Sequence, residues 1–317
     1  MDKELRSAYI QLHIAVFIFG FTAILGKLIS ADHFTLVWHR MWLAAAGFFL
    51  IPGFIKTLRQ TNVKYLFMLM GIGILVAIHW LTFYGSIKIG DSASLTLGCF
   101  GLTSTFTSIL EPLIYRKKFV GLDVLLGLLA LLGIAIIAYY APSQKEGNGN
   151  IPLAIIVGVF STFVAALFST INSTLTNKVD TKVISFAELT GGYLFLCIIL
   201  LSSFHIEAVL PVNDFKLWPL TSEPKFIQSP YADFIWIALL ALVCTNVAFV
   251  MNLNAMKRVS AFTANLAINL EPVYGILLAA FIFKEHQFLN LQFYIGAGII
   301  LLSVVLHSII KSRERNK

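Results

Sequence analysis

Apolar segments of about 20 residues recur along the whole chain, and they constrain its fold more than any other feature of the sequence. As an α-helix rising about 1.5 Å per residue, a segment of this length spans a hydrocarbon core of about 30 Å. Hydrophobic residues make up 58% of the 317 residues and charged residues only 12%, against about 25% charged in soluble domains. The sequence therefore predicts a membrane protein.

We predict ten spanning segments. They cover approximately residues 8–29, 34–55, 65–86, 92–115, 121–140, 152–175, 183–204, 232–255, 261–283 and 288–310. We expect helices because a lipid-exposed backbone must satisfy its own hydrogen bonds, and the segments lack the two-residue alternation of barrel strands. Only one connection, 205–230, is long, so neighbouring helices are expected to be antiparallel, with no separate soluble domain.

Basic residues are distributed unevenly between the two sides of the predicted membrane. If both termini are cytoplasmic, that side carries 16 Lys and Arg residues and the opposite side carries five. This asymmetry follows the positive-inside rule, so the net charge of +7 reflects orientation rather than a nucleic-acid partner. We therefore expect Lys56, Arg116, Lys178 and Lys257 to be cytoplasmic and the 205–230 loop to be external.

The chain also shows a weak internal repeat. An offset of 169 residues aligns FYGSIKIGDSAS (83–94) with NLNAMKRVSAFT (252–263), and Gly127 with Gly296. Five spans per half is an odd number, so the halves must insert with opposite orientations, as in many transporters. The predicted fold is an all-α polytopic membrane protein made of two inverted five-helix repeats, residues 1–145 and 146–317.

Three segments resemble a known family. They are HRMWLAAAGFFLIP (39–52), FYGSIKIGDSASLTLGCFGLTSTFTSILEPLIYRKK (83–118) and AMKRVSAFTANLAINLEPVYGILLAAFIFKE (255–285). They resemble the EamA-like family of the drug/metabolite transporter superfamily, and the likeness covers essentially the whole chain as two EamA-type halves. The resemblance implies a ten-helix inner-membrane carrier of small metabolites, often amino acids or related compounds, with a central cavity between the halves. It does not imply a particular substrate.

Glu271 and Pro272 interrupt the ninth apolar segment. Glu271 lies about ten residues into the span, or about 15 Å along the helix, near the bilayer centre. Pro272 cannot donate to the carbonyl of Ile268, so it is expected to kink the helix and free that carbonyl. A carboxylate beside a loosened backbone is a candidate site for a proton or an ammonium group. Alternatively, Glu271 ties two helices together and the kink is static.

A second Glu-Pro pair, Glu111-Pro112, is not the symmetry mate of the first. The 169-residue offset instead places Glu271-Pro272 on the pair 102–103. Glu111 shares a stripe with Ser104 and Ser108 on the fourth span, which suits either a water-lined wall or ordinary helix packing.

Several charged and aromatic residues inside the spans are further candidates for the cavity. Lys27, His39 and Arg40 lie near the outer ends of their helices, where they would attract an anionic substrate group, or else their chains extend to the interface. The remaining candidates come from the third, seventh and ninth spans: His79, Trp80, Glu188 and Tyr274. The two aromatic residues offer stacking surfaces or simple packing.

Two other functional classes have to be weighed. An enzyme is disfavoured because the sequence contains no HExxH or GxSxG motif and no metal-ligand spacing, so no metal and no cofactor are predicted. A receptor or scaffold would not need Arg40 and Glu271 within the membrane. No nucleotide-binding loop is present, which leaves a proton gradient, substrate exchange or facilitated flow as energy sources. The sequence therefore predicts a secondary transporter that works by alternating access, with its oligomeric state left open.

Overall fold

The computed structural model describes residues 3–116, 119, 121–139, 149–209, 231–268, 270–284 and 290–315, and within these ranges it contains helices and turns but no β-strand. The helices are α1 (Lys3–Leu28), α2 (His33–Gly47), α3 (Phe54–Gln60), α4 (Val63–Gly90), α5 (Ala93–Phe100), α6 (Thr103–Tyr115), α7 (Gly121–Tyr139), α8 (Ile151–Ser173), α9 (Thr181–Val209), α10 (Tyr231–Ala241), α11 (Ala248–Ala255), α12 (Ala261–Ile268), α13 (Glu271–Ile282) and α14 (Leu291–Arg315). We call α1–α7 the first half and α8–α14 the second half. Most of the long 205–230 connection lies outside the described residues.

The helices account for the apolar segments of the sequence, although fewer of them meet the requirements for a membrane span than predicted. Six uninterrupted or gently bent stretches in the described residues are long and apolar enough. A seventh is the pair His33–Leu50 and Phe54–Gln60, which is bent by 102°. Glu271–Ile282 and Leu291–Ser303 are apolar but shorter. The described chain is thus an all-α, multi-pass membrane protein, with six or seven spans by length and composition.

Polar residues mark where several helices begin. Asp32 precedes α2 and accepts hydrogen bonds from the amides of Phe34 and Thr35. Asn62, Ser92 and Asn150 cap α4, α5 and α8 in the same way. Each such cap stabilises a helix by about 1 kcal/mol, because the first amides of a helix have no partner within it.

Glycines let α4 of the first half approach α9 of the second half closely. A Cβ atom on Gly73 would collide with the backbone of Glu188, and one on Gly191 would collide with the backbone of Met70. Gly192 in turn lies against the carbonyl of Gly73. Small residues at such crossings are the usual means by which membrane helices pack. Helix α4 also packs against α8, so it forms the centre of the contact between the halves.

Candidate functional site

Two apolar spans are interrupted near their middles, one in each half. Helix α5 ends at Phe100 and α6 begins at Thr103, while α12 ends at Ile268 and α13 begins at Glu271. Pro272 therefore lies in the first turn of a new helix, where its missing N–H is not needed. The sequence predicted a kink around Pro272, and the structure divides this segment into α12 and α13, with a new helix that begins at Glu271.

A cavity of about 90 Å³ lies beside these breaks and is lined by both halves. Its volume is several times the about 10–15 Å³ that one water molecule requires. Six of its 19 lining residues are Phe or Trp. They are Phe19, Trp80, Phe83, Phe100, Phe168 and Phe249. Nine lining residues are polar, among them Arg40, His79 and Glu271, and a combination of aromatic and polar lining groups is typical of a small-molecule site.

Arg40 is held from three sides although it is almost entirely buried, with 3% of its surface exposed. Its Nε donates to Thr245 Oγ1 at 2.9 Å and its Nη1 donates to Tyr84 Oη at 2.6 Å. The guanidinium also lies over the Trp80 ring. The remaining nitrogen, Nη2, makes no hydrogen bond to any residue that the structure describes, so it is available to a ligand. The protein thus fixes the orientation of Arg40 and leaves Nη2 able to donate hydrogen bonds to a ligand.

The acceptor of Arg40, Thr245, occupies an irregular stretch of helix. Residues Leu242–Val247 form a π-helical turn between α10 and α11. The Thr245 hydroxyl donates to the carbonyl of Leu240 at 2.9 Å, which leaves its oxygen lone pairs to accept from Arg40. Such turns often occur at functional sites. Sequence reasoning missed Thr245, because nothing in LVCTNV indicates a π-helical turn.

Glu271 is the negative counterpart of Arg40 in the cavity. Its Oε1 lies 3.5 Å from Thr22 Oγ1, a long contact. The single hydroxyl proton of Thr22 already points to the carbonyl of Phe19, at 2.7 Å. Glu271 and Arg40 are close enough to interact electrostatically, yet the ion pairs among the described side chains do not include this one. The carboxylate therefore retains capacity to accept hydrogen bonds.

His79 presents its ring to the same cavity in a defined tautomer. Ser161 Oγ donates to the backbone carbonyl of His79 at 2.9 Å, so it can only accept from the ring nitrogen Nδ1, which lies 2.9 Å away. We infer that Nδ1 carries the proton and that Nε2 is an acceptor. The ring packs between Phe100 and Phe168 at centroid distances of 5.5 and 5.6 Å.

A chain of polar side chains crosses between the halves at the cavity wall. Ser169 donates to Asn265 Oδ1 at 2.8 Å, and Asn265 Nδ2 donates to Thr107 Oγ1 at 2.9 Å. Asn265 and Glu271, on the consecutive helices α12 and α13, both line the cavity.

The other predicted site residues lie outside the lining of this cavity. Lys27 is at the end of α1, where its Nζ donates to the carbonyl of Asp91 at 2.7 Å and lies over the Phe283 ring. His39 accepts from Trp42 Nε1 at 3.1 Å. The remaining five are Ser104, Ser108, Glu111, Glu188 and Tyr274.

These five residues occupy several different environments. Ser108 donates to the carbonyl of Thr105 within its own helix. Tyr274 packs edge-on against Phe17, with ring centroids 5.5 Å apart. Ser104 is partly exposed and Glu111 is buried on the same helix, and Glu188 is fully buried between helices away from the cavity.

A polar connection joins the two halves at the end of the molecule that contains the α1–α2 turn. Asp233, in the first turn of α10, accepts from the amide and hydroxyl of Ser30 and from the amide of Ala31, at 2.6 to 3.1 Å. Asp233 is 4% exposed. Lys88 donates to the neighbouring carbonyl of Ile29. The Asp233 contacts link the α1–α2 turn to α10 at one end of the bundle, and the Lys88 contact links it to α4.

Comparisons with known proteins agree with this architecture. The model of the "EamA-like transporter family" matches residues 6–139 and 152–309. An "uncharacterized transporter" of Clostridium kluyveri is 24% identical over 215 residues, which is 68% of this chain and 63% of that relative, so the match spans less than two thirds of the relative's length. A crystal structure described only as that of a protein is similar with a TM-score of 0.63 and 14% identity, over 97% of this chain and 98% of the other; this likeness concerns the fold alone.

The family match covers nearly all of the chain in two stretches, and these stretches correspond to the two halves that enclose the cavity. The apolar helices supply the membrane-spanning scaffold that the family requires. The chain therefore belongs to the EamA-like transporter family.

Proposed function

We propose that the protein is a secondary transporter that moves a small zwitterionic metabolite of the amino acid type across the cell's inner membrane by alternating access. One observation carries this proposal: Arg40 and Glu271 line the same cavity with opposite charges and form no ion pair with each other. A substrate with a carboxylate and an ammonium group could bind both at once, the carboxylate to Arg40 and the ammonium group to Glu271.

The chemistry of the wall supports the same substrate class. Separated charges in a membrane interior are costly unless each has a partner. Arg40 suits a carboxylate because its Nη2 can donate charge-assisted hydrogen bonds. Glu271 suits an ammonium group because an ionised carboxylate only accepts hydrogen bonds. The aromatic wall would hold an apolar or aromatic side chain of the substrate.

Alternating access fits the arrangement of the two halves. The 169-residue offset of the sequence repeat places Glu271-Pro272 on Leu102-Thr103. Helix α13 begins at Glu271, and α6 begins at Thr103. Two matching breaks beside one cavity support two inverted five-helix repeats, and hence ten spans in all. The Asp233 connection would then hold one end closed while the other opens.

The orientation of the protein is part of the proposal and has its own test. The excess of basic residues predicts cytoplasmic termini. We expect a cysteine at position 56 to be labelled from the cytoplasm and one at position 91 from the outside, in membranes of known sidedness. The reverse pattern would contradict the orientation.

Transport itself is tested with purified protein in liposomes. Labelled amino acids and related zwitterions would be screened for uptake, with and without an imposed proton gradient, beside protein-free liposomes. We expect protein-dependent uptake of at least one zwitterion that Arg40→Gln abolishes and Arg258→Gln, at an exposed ion pair with Glu4, preserves. Zwitterion binding without any flux would favour a receptor and would contradict transport.

A further inference from the structure

Glu188 is a second buried carboxylic acid, and it lies away from the cavity. It is on α9 and has no exposed surface. Neither of its carboxyl oxygens has a hydrogen-bond partner among the residues that the structure describes. A buried carboxylate without a donor is strongly disfavoured, whereas the neutral acid is tolerated much better. The environment therefore favours a protonated side chain at this position.

Asn172, on α8, is the polar neighbour of Glu188. It too has no exposed surface, and neither its amide nitrogen nor its amide oxygen forms a hydrogen bond of good geometry with a described residue. The amide can accept a proton from the acid through Oδ1 or donate to the carboxylate through Nδ2. A small rotation therefore lets Asn172 serve either protonation state of Glu188.

Among the residues that the structure describes, no charged group compensates Glu188. Asn172 is the only described polar side chain that interacts with it. At the α4 contact, Glu188 meets Gly73 through its backbone, and one turn further Gly192 meets Met41 of α2. Titratable side chains are present on the helices that pack against α9, and on α9 itself, but none of them interacts electrostatically with Glu188. They are His33, His39, Arg40, Lys56, Arg59, Lys64, Tyr65, His79, Tyr84, Lys88, Lys182, Tyr193 and Cys197.

The position of Glu188 mirrors that of Arg40. Arg40 is the eighth residue of α2 and Glu188 is the eighth residue of α9, the second long helix of each half. In the proposed orientation Glu188 lies about 10 Å from the cytoplasmic end of its helix. Because α4 and α9 belong to different halves and touch at Glu188, a movement of one half against the other would change its burial.

We propose that Glu188, with Asn172, is a proton-binding site separate from the substrate cavity. It takes up one proton from the cytoplasmic side, converting the carboxylate to the acid, and holds it in the conformation described here. When the α4–α9 contact opens, water solvates the carboxylate and the proton leaves. The site itself does not depend on the proposed transport of a zwitterion, but its role as a coupling site does.

Infrared spectroscopy tests the site without any transport assay. The carboxylic acid C=O band of the reconstituted protein would be followed from acidic to alkaline pH in the wild type, Glu188→Gln and Glu188→Asp, with Glu271→Gln as the matched control in the cavity. We expect one component that persists above neutral pH, is lost in Glu188→Gln and is retained in Glu271→Gln. Identical spectra of the wild type and Glu188→Gln throughout the titration would overturn the proposal.

Two further measurements keep the test independent of folding defects and of the proposed function. Asn172→Leu leaves Glu188 in place but removes its hydrogen-bonding neighbour, so the Glu188 infrared band should move to the frequency of a carboxylic acid without a hydrogen bond. An unmoved band would contradict the pairing of Glu188 with Asn172.

In the uptake assay, Glu188→Gln should lose the pH dependence of the wild type, and an unchanged pH profile would overturn the coupling role. Absence of wild-type flux would refute the proposed function, while the infrared spectra would still decide the proton site.

Discussion

The guanidinium of Arg40 lies over the indole of Trp80, with its Cζ atom 3.7 Å from the ring centroid. This contact joins α2 to α4 and helps to hold the guanidinium in the cavity. Stacking of this kind is worth about 2 kcal/mol when it is desolvated. A lysine at this position could keep the charge, but it would lose the planar stacking and the two hydrogen bonds to Thr245 and Tyr84.

We therefore expect Arg40→Lys to weaken substrate binding by about 10- to 100-fold, on the basis of about 1.5–3 kcal/mol for hydrogen bonds to a charged group. Affinity would be measured by calorimetry on the purified protein with the zwitterion found in the uptake screen. The matched control is Arg258→Lys, at an exposed ion pair. Wild-type affinity in Arg40→Lys would show that Arg40 only holds helices together.

The carboxylate of Glu271 is predicted to bind the ammonium group of the substrate. Glu271→Gln keeps the shape of the side chain and removes its charge, so substrate affinity should fall while the protein still folds. Thr22→Val should have much less effect, because the Thr22 hydroxyl proton is already committed to the carbonyl of Phe19. Binding assays on both variants would check this pair of outcomes. An equal loss in both would mean that Thr22 contributes to the site directly.

Gly73 is predicted to be essential for the contact between α4 and α9. An added Cβ would collide with the backbone of Glu188, and overpacking of this kind costs about 1–3 kcal/mol. Gly71 is a matched control on the same helix, since a Cβ there meets nothing within 4 Å. Gly73→Ala should lower the thermal unfolding temperature in detergent, and Gly71→Ala should leave it unchanged or raise it slightly. Equal stability of the two variants would argue against the close crossing.

Asp233 is predicted to keep the outer end of the cavity closed. It holds Ser30 and Ala31 through charge-assisted hydrogen bonds, each worth about 1.5–3 kcal/mol. Asp233→Asn removes the charge and should raise the population of the outward-open state. Cys244 reports on that state, because it lines the cavity and is 3% exposed.

The measurement is the rate at which an impermeant thiol reagent added from outside labels Cys244 after Cys99 and Cys197 have been replaced by serine. We expect Asp233→Asn to increase the rate about 5- to 30-fold, which corresponds to a shift of about 1–2 kcal/mol. Asp91→Asn, at an exposed ion pair with Lys27, is the control. No acceleration in Asp233→Asn would refute its role in closure.

Helical periodicity and hydropathy were sufficient to predict the apolar helices, because a bilayer leaves few alternatives for a lipid-exposed backbone. They also brought Arg40, His79, Trp80 and Glu271 forward as candidates, and all four line the cavity. Adjacent residues on a helix point about 100° apart. His39 and Arg40 therefore point in different directions, and only the tertiary packing shows that Arg40 lines the cavity while His39 does not.

Other parts of the site depend on irregular backbone that could not be predicted from the sequence. The π-helical turn places Thr245 where it can accept from Arg40. Asn265, on α12, and Glu271, on α13, line the same cavity. For Lys27 the sequence left both the cavity and the interface open, and in the structure it lies at the end of α1 and reaches Asp91. Side-chain length and local breaks, rather than composition, decide these positions.

The central claim is that opposite charges on Arg40 and Glu271 bind one zwitterion for transport, and substrate counterflow in proteoliposomes tests it most directly. Loaded liposomes would be assayed with a labelled zwitterion in competition with analogues that lack either the carboxylate or the amine. We predict that the wild type rejects both analogues, that Arg40→Gln no longer discriminates against loss of the carboxylate, and that Glu271→Gln no longer discriminates against loss of the amine. Unchanged counterflow and unchanged discrimination in both variants would contradict the account.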